Sequence, residues 1–520
     1  MRFHSVLFPD ASLRSPEEKL SPPPFFGDLN LDQVVAAITA GKQEYRLAPF
    51  FYEPLRDLDA VEFRQEVMRD LEDRPLLDNI RMFARNMALV RQHLARQQAA
   101  YYQRQKERWF LDALELYGDT VERLAEDLSR AKSRGIGAFR DYVTQYTSSQ
   151  RFTLLIAEAR RLKAELLAIR YTILIRGARV EVGCYRGEAD YGAELETAFA
   201  RFRQDSVQEY TFRSGGAPEM NHVEARILDG VANLHPDTFS KLERFVAANT
   251  DFQDAVIVAF DREIQFYVAY LEYIARLKEA GLNFCYPIVS ASHQEVYDYQ
   301  GFDLALAGSL LEEQLVPVCN DFHLKDPERI IVVSGPNQGG KTTFARTFGQ
   351  LHYLASLGLP VPGTRARLVL CDRLFTHFER TEQMTNLRGK LEDDLVRIRD
   401  ILEAATPRSI IVINEIFAST ALRDAVVLSK KIASAIMKLG SLCVWVTFID
   451  ELASLDAATI SMVSTVAPHD PTRRTFKIIR QAANGLAYAL SLAEKYRLTY
   501  STLRERIPDE GSSPVPPPGF

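Results

Sequence analysis

The residues best suited to chemistry form one glycine-rich segment, IIVVSGPNQGGKTTFA, in the second half of the chain. It satisfies the Walker A spacing G-x-x-x-x-G-K-[ST], in which glycines let backbone N–H groups surround phosphate oxygens, the lysine adds a positive charge and the threonine offers a hydroxyl to Mg²⁺. The alternative, a glycine-rich turn with an incidental lysine, is disfavoured by the apolar strand before it. We therefore predict a nucleotide-binding loop made of Gly335, Pro336, Asn337, Gln338, Gly339, Gly340, Lys341, Thr342 and Thr343.

A second candidate is the apolar run IIVINEIFAST, residues 410–420, in which Asn414 precedes Glu415. Nucleotide-hydrolysing proteins usually have an aspartate in the place of this asparagine. Glu415 can orient a water molecule as a general base, so it is the candidate catalytic residue. Asn414 and Thr342 are the candidate metal residues, although an asparagine adds no negative charge and should hold Mg²⁺ less firmly. An ordinary polar end to a buried strand is the alternative.

The elements that position these residues should form an α/β domain. Short β-rich apolar runs recur after residue 283, separated by helical or loop segments, which predicts a largely parallel sheet. These runs cover residues 330–333, 368–370, 410–413 and 443–446.

The preceding part of the chain, residues 31–282, is predicted to be a helical region. Apolar residues recur at three- and four-residue steps over 152–173, which indicates one long helix, and a second long helix is predicted over 251–280. Glycines and an alternating apolar pattern near 176–192 predict a small β excursion between the two. Residues 1–30, including SPPPFFG, are predicted to be a tail or linker, and the Pro-rich residues 508–520 to be disordered.

Composition excludes several classes of protein. Apolar residues make up 47% of the 520 and charged residues 25%, as in a globular protein with a real core. The five cysteines are widely spaced, which fits reduced thiols, and no apolar run approaches the roughly 18 residues of a membrane span. We therefore expect a cytoplasmic protein without a membrane partner. The net charge of −6 gives no overall attraction for nucleic acid.

Local contact with nucleic acid remains open because residues 81–108 form a basic stripe. The stripe contains seven basic residues against one acid, Glu107, and has Tyr101, Tyr102 and Trp109 within or beside it. Such a stripe could neutralise backbone phosphates without reading bases, although a solvated helix face is the commoner meaning of a charge run. Its basic residues are Arg81, Arg85, Arg91, Arg96, Arg104, Lys106 and Arg108.

Residues 302–507 resemble the MutS family of DNA mismatch-repair ATPases. The resemblance is carried by GPNQGGKTT, by DRLFTHF at residues 372–378 and by NGLAYALSLAEKYRL at residues 484–498. It implies an α-helical core/lever region followed by an α/β P-loop NTPase domain of the ABC ATPase type over residues 283–507. It further implies ATP and Mg²⁺ as cofactors, DNA as a partner, and a homodimer joined through the C-terminal segment.

The sequence departs from the family pattern at positions that bear on hydrolysis. The family's D-E-I-G-R-G-T-S becomes residues 414–421, which lack the aspartate and both glycines, and its Thr-His pair becomes Thr447 and Phe448. We therefore expect an ATPase with slow hydrolysis. The alternatives are a nucleotide-gated structural protein with little or no hydrolysis and, less favoured, a small-molecule P-loop kinase.

The family's mismatch-sensing Phe-x-Glu pattern has a superficial counterpart in FFYEPL, which contains Phe51, Tyr52 and Glu53. Only 50 residues precede it, and the sequence after it is typical of a helical core. A three-residue pattern also arises easily by chance. We therefore reject this match and expect the mismatch-reading module to be absent.

Overall fold

The structure is a computed structural model, and it describes residues 3–10, 12, 21–177, 179–188, 220–379, 389–417, 420–483 and 496–506. The chain divides into two compact units. The first comprises Met1–Phe3, Glu72–Lys132 and Ile136–Asp261. The second comprises His4–Leu71, Ser133–Gly135 and Arg262–Phe520. The units thus combine segments that are distant in sequence, and the contiguous domain bounds given above stay predictions.

The α-helices of the described residues dominate the first half of the chain. They are α1 (Leu31–Thr39), α2 (Leu58–Asp70), α3 (Arg74–Ala99), α4 (Gln103–Asp127), α5 (Arg134–Thr147), α6 (Gln150–Leu167), α7 (His222–Leu234), α8 (Pro236–Ala248), α9 (Ala255–Glu279), α10 (Leu304–Glu312), α11 (Lys341–Ser356), α12 (Lys390–Ala404), α13 (Leu422–Leu439) and α14 (Tyr500–Arg506). This confirms the helical N-terminal region. No helix of the described residues is long and apolar enough to cross a membrane.

The strands lie mainly in the second half of the chain. They are β1 (Tyr171–Arg176), β2 (Arg179–Cys184), β3 (Phe284–Cys285), β4 (Ile288–Ser290), β5 (Glu295–Gly301), β6 (Asn320–Lys325), β7 (Ile330–Ser334), β8 (Val361–Pro362), β9 (Arg365–Val369), β10 (Leu374–His377), β11 (Ile410–Asn414), β12 (Leu442–Val446), β13 (Thr459–Ala467) and β14 (Asp470–Arg480). The mixed helix-and-sheet architecture is therefore confirmed.

The first unit is built on the helix pair α3 and α4. The buried residues of α3 recur at steps of three and four, from Leu76 through Ile80 to Phe83, and so form one apolar face. The buried face of α4 includes Phe110 and Leu114, whose side chains are fully enclosed. Burial of these faces holds the two long helices together.

The helix predicted over residues 152–173 ends earlier than its apolar pattern suggested. It stops at Leu167, and Ile173 lies in β1, where it pairs with Val182 of β2. The β-branched run after Leu167 finds a cross-strand partner through a turn at Gly177, whose φ is 60°. The β excursion predicted at 176–192 therefore starts earlier, at residue 171.

The main sheet of the second unit has the order β10-β11-β12-β7-β13-β14. Neighbours from β10 to β13 are parallel, and only the edge pair β13 and β14 is antiparallel. The runs predicted at 330–333, 410–413 and 443–446 become β7, β11 and β12, which are adjacent and almost wholly buried. Parallel neighbours place the carboxyl ends of these strands at one edge of the sheet.

The fourth predicted run, residues 368–370, does not belong to this sheet. It falls at the end of β9, which lies in a separate four-stranded sheet of order β4-β9-β5-β6. The main sheet instead takes its edge strand from β10, a few residues later. A short apolar run indicates a buried strand but not which partner it will pair with.

The segment SPPPFFG is packed rather than a loose linker in the described residues, which corrects the expectation for this part of residues 1–30. Phe26 is 1% exposed, and its ring lies 5.3 Å from that of Tyr353 at the end of α11. Farther along, the Leu29 carbonyl accepts a hydrogen bond of 2.8 Å from Gln350 Nε2, also on α11. The prolines reduce chain freedom, while the aromatic and apolar side chains supply the area that is buried.

Phe51 is a core residue of the second unit. Its side chain is 1% exposed and its ring centroid lies 4.7 Å from that of Phe266. The Phe51 carbonyl also accepts a 2.8 Å hydrogen bond from the Tyr353 hydroxyl. A ring enclosed in this way is a packing element of the second unit.

Candidate phosphate-binding site

The glycine-rich loop leaves the carboxyl end of β7 and runs directly into α11, which begins at Lys341. Two of its glycines have left-handed backbone, with φ of 115° at Gly335 and 89° at Gly340. Ser464 of β13 packs against the loop, and its hydroxyl donates a 2.6 Å hydrogen bond to the Gly339 carbonyl. A Cβ on Gly339 would overlap this hydroxyl, so Gly339 is required for space, whereas Gly335 and Gly340 are required for their backbone conformation.

Lys341 is held inside the loop and is 6% exposed. Its Nζ donates to the carbonyls of Gly335 at 2.8 Å and Pro336 at 3.1 Å, and to Asn337 Oδ1 at 3.2 Å. Burial lowers the pKa of Lys341, and the nearby carboxylate of Glu415 opposes this effect. The loop therefore keeps a positive charge at its centre, balanced by its own carbonyl oxygens.

Thr342 and Asn414, 72 residues apart in sequence, meet at the start of α11. The Thr342 hydroxyl donates a 2.9 Å hydrogen bond to Asn414 Oδ1 at the end of β11. This places two neutral oxygen atoms together, and no group of three His, Cys, Asp or Glu residues elsewhere in the described residues could bind a metal. Neutral oxygens fit a Mg²⁺ ion whose remaining ligands are phosphate oxygens and water, since Mg²⁺ favours that kind of shared site.

Glu415 follows directly and faces the same space. Its backbone is left-handed, with φ of 54°, and its N–H donates a 2.9 Å hydrogen bond to the Val446 carbonyl of β12. Such a φ is uncommon for a residue with a side chain and is often found where a side chain is aimed at a site. The turn directs Glu415 away from the strand and into the cavity beside the loop.

A cavity of about 760 Å³ opens beside the loop. One side consists of Glu415 and residues 337–343. The other side is largely apolar and was not predicted from the sequence, although the apolar run LVPV at residues 315–318 was an available signal. This apolar wall is formed by Leu306, Leu310, Leu315, Val316, Pro317, Val318 and Phe476, with Asn320 at its border.

The other residues singled out by sequence lie outside this cavity. Thr447 is buried and donates from its N–H to the Val333 carbonyl at 3.0 Å, whereas Phe448 is half-exposed. The segment DRLFTHF supplies β10, and Asp372 at its start accepts hydrogen bonds from Thr406 and Ser409 at 2.6 and 2.9 Å. Ala418, Ser419 and most of the C-terminal pairing segment, residues 484–495, lie outside the described residues.

The basic stripe is largely neutralised within the first unit. Four of its arginines are ion-paired, and the Arg104 pair involves Glu107, which is fully buried. In contrast, Arg85 and Arg96 are exposed, and Arg96 lies 4.9 Å above the Trp109 ring. The ion pairs are Arg81 with Asp78, Arg91 with Asp261, Arg104 with Glu107 and Arg108 with Asp112.

The second unit is therefore a mixed α/β structure in which a glycine-rich loop joins a buried parallel strand to a helix. Residues 331–502 match the family described as MutS domain V. Together with the relatives below, this match shows that the C-terminal part of the chain is similar to the MutS family.

Several named proteins are similar to this part of the chain. DNA mismatch repair protein MSH3 of Kluyveromyces lactis is 25% identical over 206 residues, covering 38% of this chain and 20% of that protein. Endonuclease MutS2 of Thermus thermophilus is 28% identical over 194 residues, covering 36% of this chain and 26% of that protein. DNA mismatch repair protein MutS of Granulibacter bethesdensis is 29% identical over 189 residues, covering 36% of this chain and 20% of that protein. The chain thus spans only 20 to 26% of the length of these relatives.

Proposed function

We propose that this chain is a DNA-linked ATPase of the MutS type, which binds Mg²⁺-ATP in the cavity beside the loop and hydrolyses it slowly. The observation that carries the proposal is the convergence of Lys341, Thr342 and Glu415 on one cavity, with Asn414 hydrogen-bonded to Thr342. They come from the end of β11 and the start of α11, as in a phosphate site at the edge of a parallel sheet. The MutS domain V match over the same residues supports it.

In this proposal the loop amides and the start of α11 hold the phosphates, and the helix dipole adds favourable potential. The Lys341 ammonium exchanges loop carbonyls, now at 2.8 and 3.1 Å, for phosphate oxygens. Thr342 and Asn414 would hold Mg²⁺, which when bound neutralises phosphate charge. Binding therefore depends on groups that are all present.

Hydrolysis should be weaker than binding. Glu415 would orient the attacking water and take its proton. Asn414 brings no charge to the metal shell, and Phe448 has no donor for the departing phosphate, so stabilisation of the transition state falls more than ground-state binding. We therefore propose that turnover is slow. The similarity to MutS proteins is the basis for proposing a role in repair or recombination.

The proposal is tested by measuring Mg²⁺-ATP affinity and phosphate release, with and without DNA, on the full chain. Binding with slow, DNA-sensitive release is the expected result, and the absence of binding would overturn it. Binding without release would favour a second candidate, a nucleotide-gated structural protein. The neutral Asn414 in the place of an acidic residue is the observation that favours this alternative.

If the stripe contacts DNA, charge reversal should be made where the structure leaves the arginines exposed. We expect Arg85→Glu with Arg96→Glu to weaken binding uniformly across sequences and to reduce the salt slope by about 2, which is roughly one for each lost phosphate contact. The measurement is DNA affinity at several salt concentrations.

The control for this pair reverses two exposed lysines of α13, Lys431→Glu with Lys438→Glu, so that net charge changes equally. Arg104→Glu, which the sequence alone would recommend, is unsuitable because it would place a second carboxylate beside the buried Glu107. An unchanged salt slope in the Arg85 and Arg96 variant would identify the stripe as a solvated helix face.

We also propose that two copies pair through their C-terminal segments, as the resemblance of residues 484–498 implies. Sedimentation velocity at micromolar concentration should give twice the chain mass when ATP is present. Removing residues 484–520 should shift the protein to single chains. A single chain in every nucleotide state of the intact protein would contradict the proposal.

A further inference from the structure

The hairpin formed by β13 and β14 lies against the phosphate loop. From β13, the Ser464 hydroxyl donates to the Gly339 carbonyl at 2.6 Å. From β14, Arg474 Nε donates to the Asn337 carbonyl at 3.2 Å. Both strands of the hairpin therefore hold the loop through its carbonyl oxygens, and one of the two donors is an arginine.

Arg474 brings a second positive charge to the loop. Its side chain is half-buried rather than fully solvated. Burial is the main cause that lowers the pKa of Lys341, and the charge of Arg474 lowers it further, whereas the Glu415 carboxylate opposes both effects. The two cations are therefore close enough to repel each other, and an anion bound beside both would relieve that repulsion.

Arg474 meets the loop at the end that would face the terminal phosphate of a bound nucleotide. In a Walker A loop the backbone amides surround the α- and β-phosphates, and the lysine reaches the β- and γ-phosphates. Lys341 Nζ lies 3.2 Å from Asn337 Oδ1, so Asn337 is at the γ-phosphate end of the loop. Arg474 approaches Asn337 from outside the cavity lining, and its long side chain can exchange the Asn337 carbonyl for a phosphate oxygen.

The hairpin supplies a charge that the end of β12 does not. In the sheet, β7 lies between β12 and β13, so the loop that follows β7 is flanked by the ends of both strands. The two residues that follow β12, Thr447 and Phe448, carry no charge. On the other flank β13 turns back into β14, and Arg474 lies near the start of β14. A positive charge for the terminal phosphate therefore comes from the hairpin.

We infer that Arg474 is a specificity residue of the site, and that its guanidinium binds the terminal phosphate and makes the site prefer a nucleoside triphosphate to a diphosphate. This inference rests on the proposed nucleotide binding. A guanidinium forms strong, charge-assisted hydrogen bonds with phosphate oxygens. Because ADP lacks the phosphate at this end of the loop, Arg474 should contribute to ATP affinity and hardly at all to ADP affinity.

The test compares Mg²⁺-ATP with Mg²⁺-ADP by titration calorimetry on the full chain. The unaltered protein should bind ATP more tightly than ADP. We expect Arg474→Ala to weaken ATP binding about tenfold or more, as loss of a hydrogen bond to a charged group typically does, and to change ADP affinity by less than about twofold.

Two further variants separate the charge of Arg474 from its effect on the shape of the loop. Arg474→Gln keeps a side-chain N–H that can donate to the Asn337 carbonyl but removes the charge, so it should behave like Arg474→Ala. Arg473→Ala removes the exposed neighbouring arginine, which the alternation of a strand places on the opposite face of β14, and should leave both affinities unchanged.

The outcomes distinguish this inference from the proposal beneath it. Loss of ATP affinity alone in both Arg474 variants supports the inference. Unchanged ATP affinity, equal loss of ATP and ADP affinity, or recovery of ATP affinity in Arg474→Gln would overturn the role of Arg474 while leaving nucleotide binding intact. The absence of a preference for ATP in the unaltered protein would do the same. Failure of the unaltered protein to bind either nucleotide would overturn nucleotide binding and the inference together.

Discussion

Lys341→Ala should remove most of the affinity of the protein for Mg²⁺-ATP. The Lys341 ammonium is buried at the centre of the loop within 3.2 Å of three oxygen acceptors, so the substitution removes the cation that would meet the phosphates. Removing one partner of a buried charged pair costs about 2 to 5 kcal/mol. We therefore expect affinity measured by calorimetry to fall about 30- to 5,000-fold.

Loss of the loop's internal hydrogen bonds could also disturb folding, so the variant needs a structural control. The temperature of unfolding should stay close to that of the unaltered protein, because α11 remains packed along its length. Lys438→Ala removes an exposed lysine from α13 and should leave ATP affinity unchanged. Retained affinity in Lys341→Ala would show that the loop does not hold the nucleotide through this charge.

Glu415→Gln should remove residual hydrolysis while leaving ATP affinity within about twofold of the unaltered protein. The amide keeps the size of the side chain and its hydrogen-bonding oxygen, but it cannot take a proton from water. General bases typically contribute about 10² to 10⁴ in rate, so phosphate release should fall by at least a hundredfold. Single-turnover phosphate release with ATP affinity measured in parallel separates the two effects.

The neighbouring substitution Asn414→Asp should not lower the rate of ATP turnover, in contrast to Glu415→Gln. A carboxylate in place of the amide adds negative charge next to the Thr342 hydroxyl, which should strengthen Mg²⁺ binding and leave turnover equal or raise it. The matched control for Glu415→Gln is Glu451→Gln, which makes the same change at an exposed carboxylate beyond β12. Rapid turnover by the unaltered protein that persists in Glu415→Gln would show that Glu415 is not the base.

The sequence by itself determined the features that depend on near neighbours. The glycine spacing around Lys341 describes a loop whose conformation is set within a few residues, and left-handed Gly335 and Gly340 follow that pattern. The apolar runs of β7, β11 and β12 were also evident, because strands covered on both faces by other layers read as continuous apolar segments. The long helices of the first half likewise follow from a local period.

Other features were decided by the tertiary structure alone. The 2.9 Å contact of Thr342 with Asn414, the neutralisation of Arg104 by Glu107 and the burial of Phe26 depend on which elements pack together. The 3.1 Å hydrogen bond from Asn320 Nδ2 to the Phe476 carbonyl likewise joins residues that are 156 positions apart. Apolar periodicity predicts which face of a helix or strand is buried, but it does not predict which other element packs against that face. These contacts form between elements that are distant in sequence, so periodicity could not reveal them.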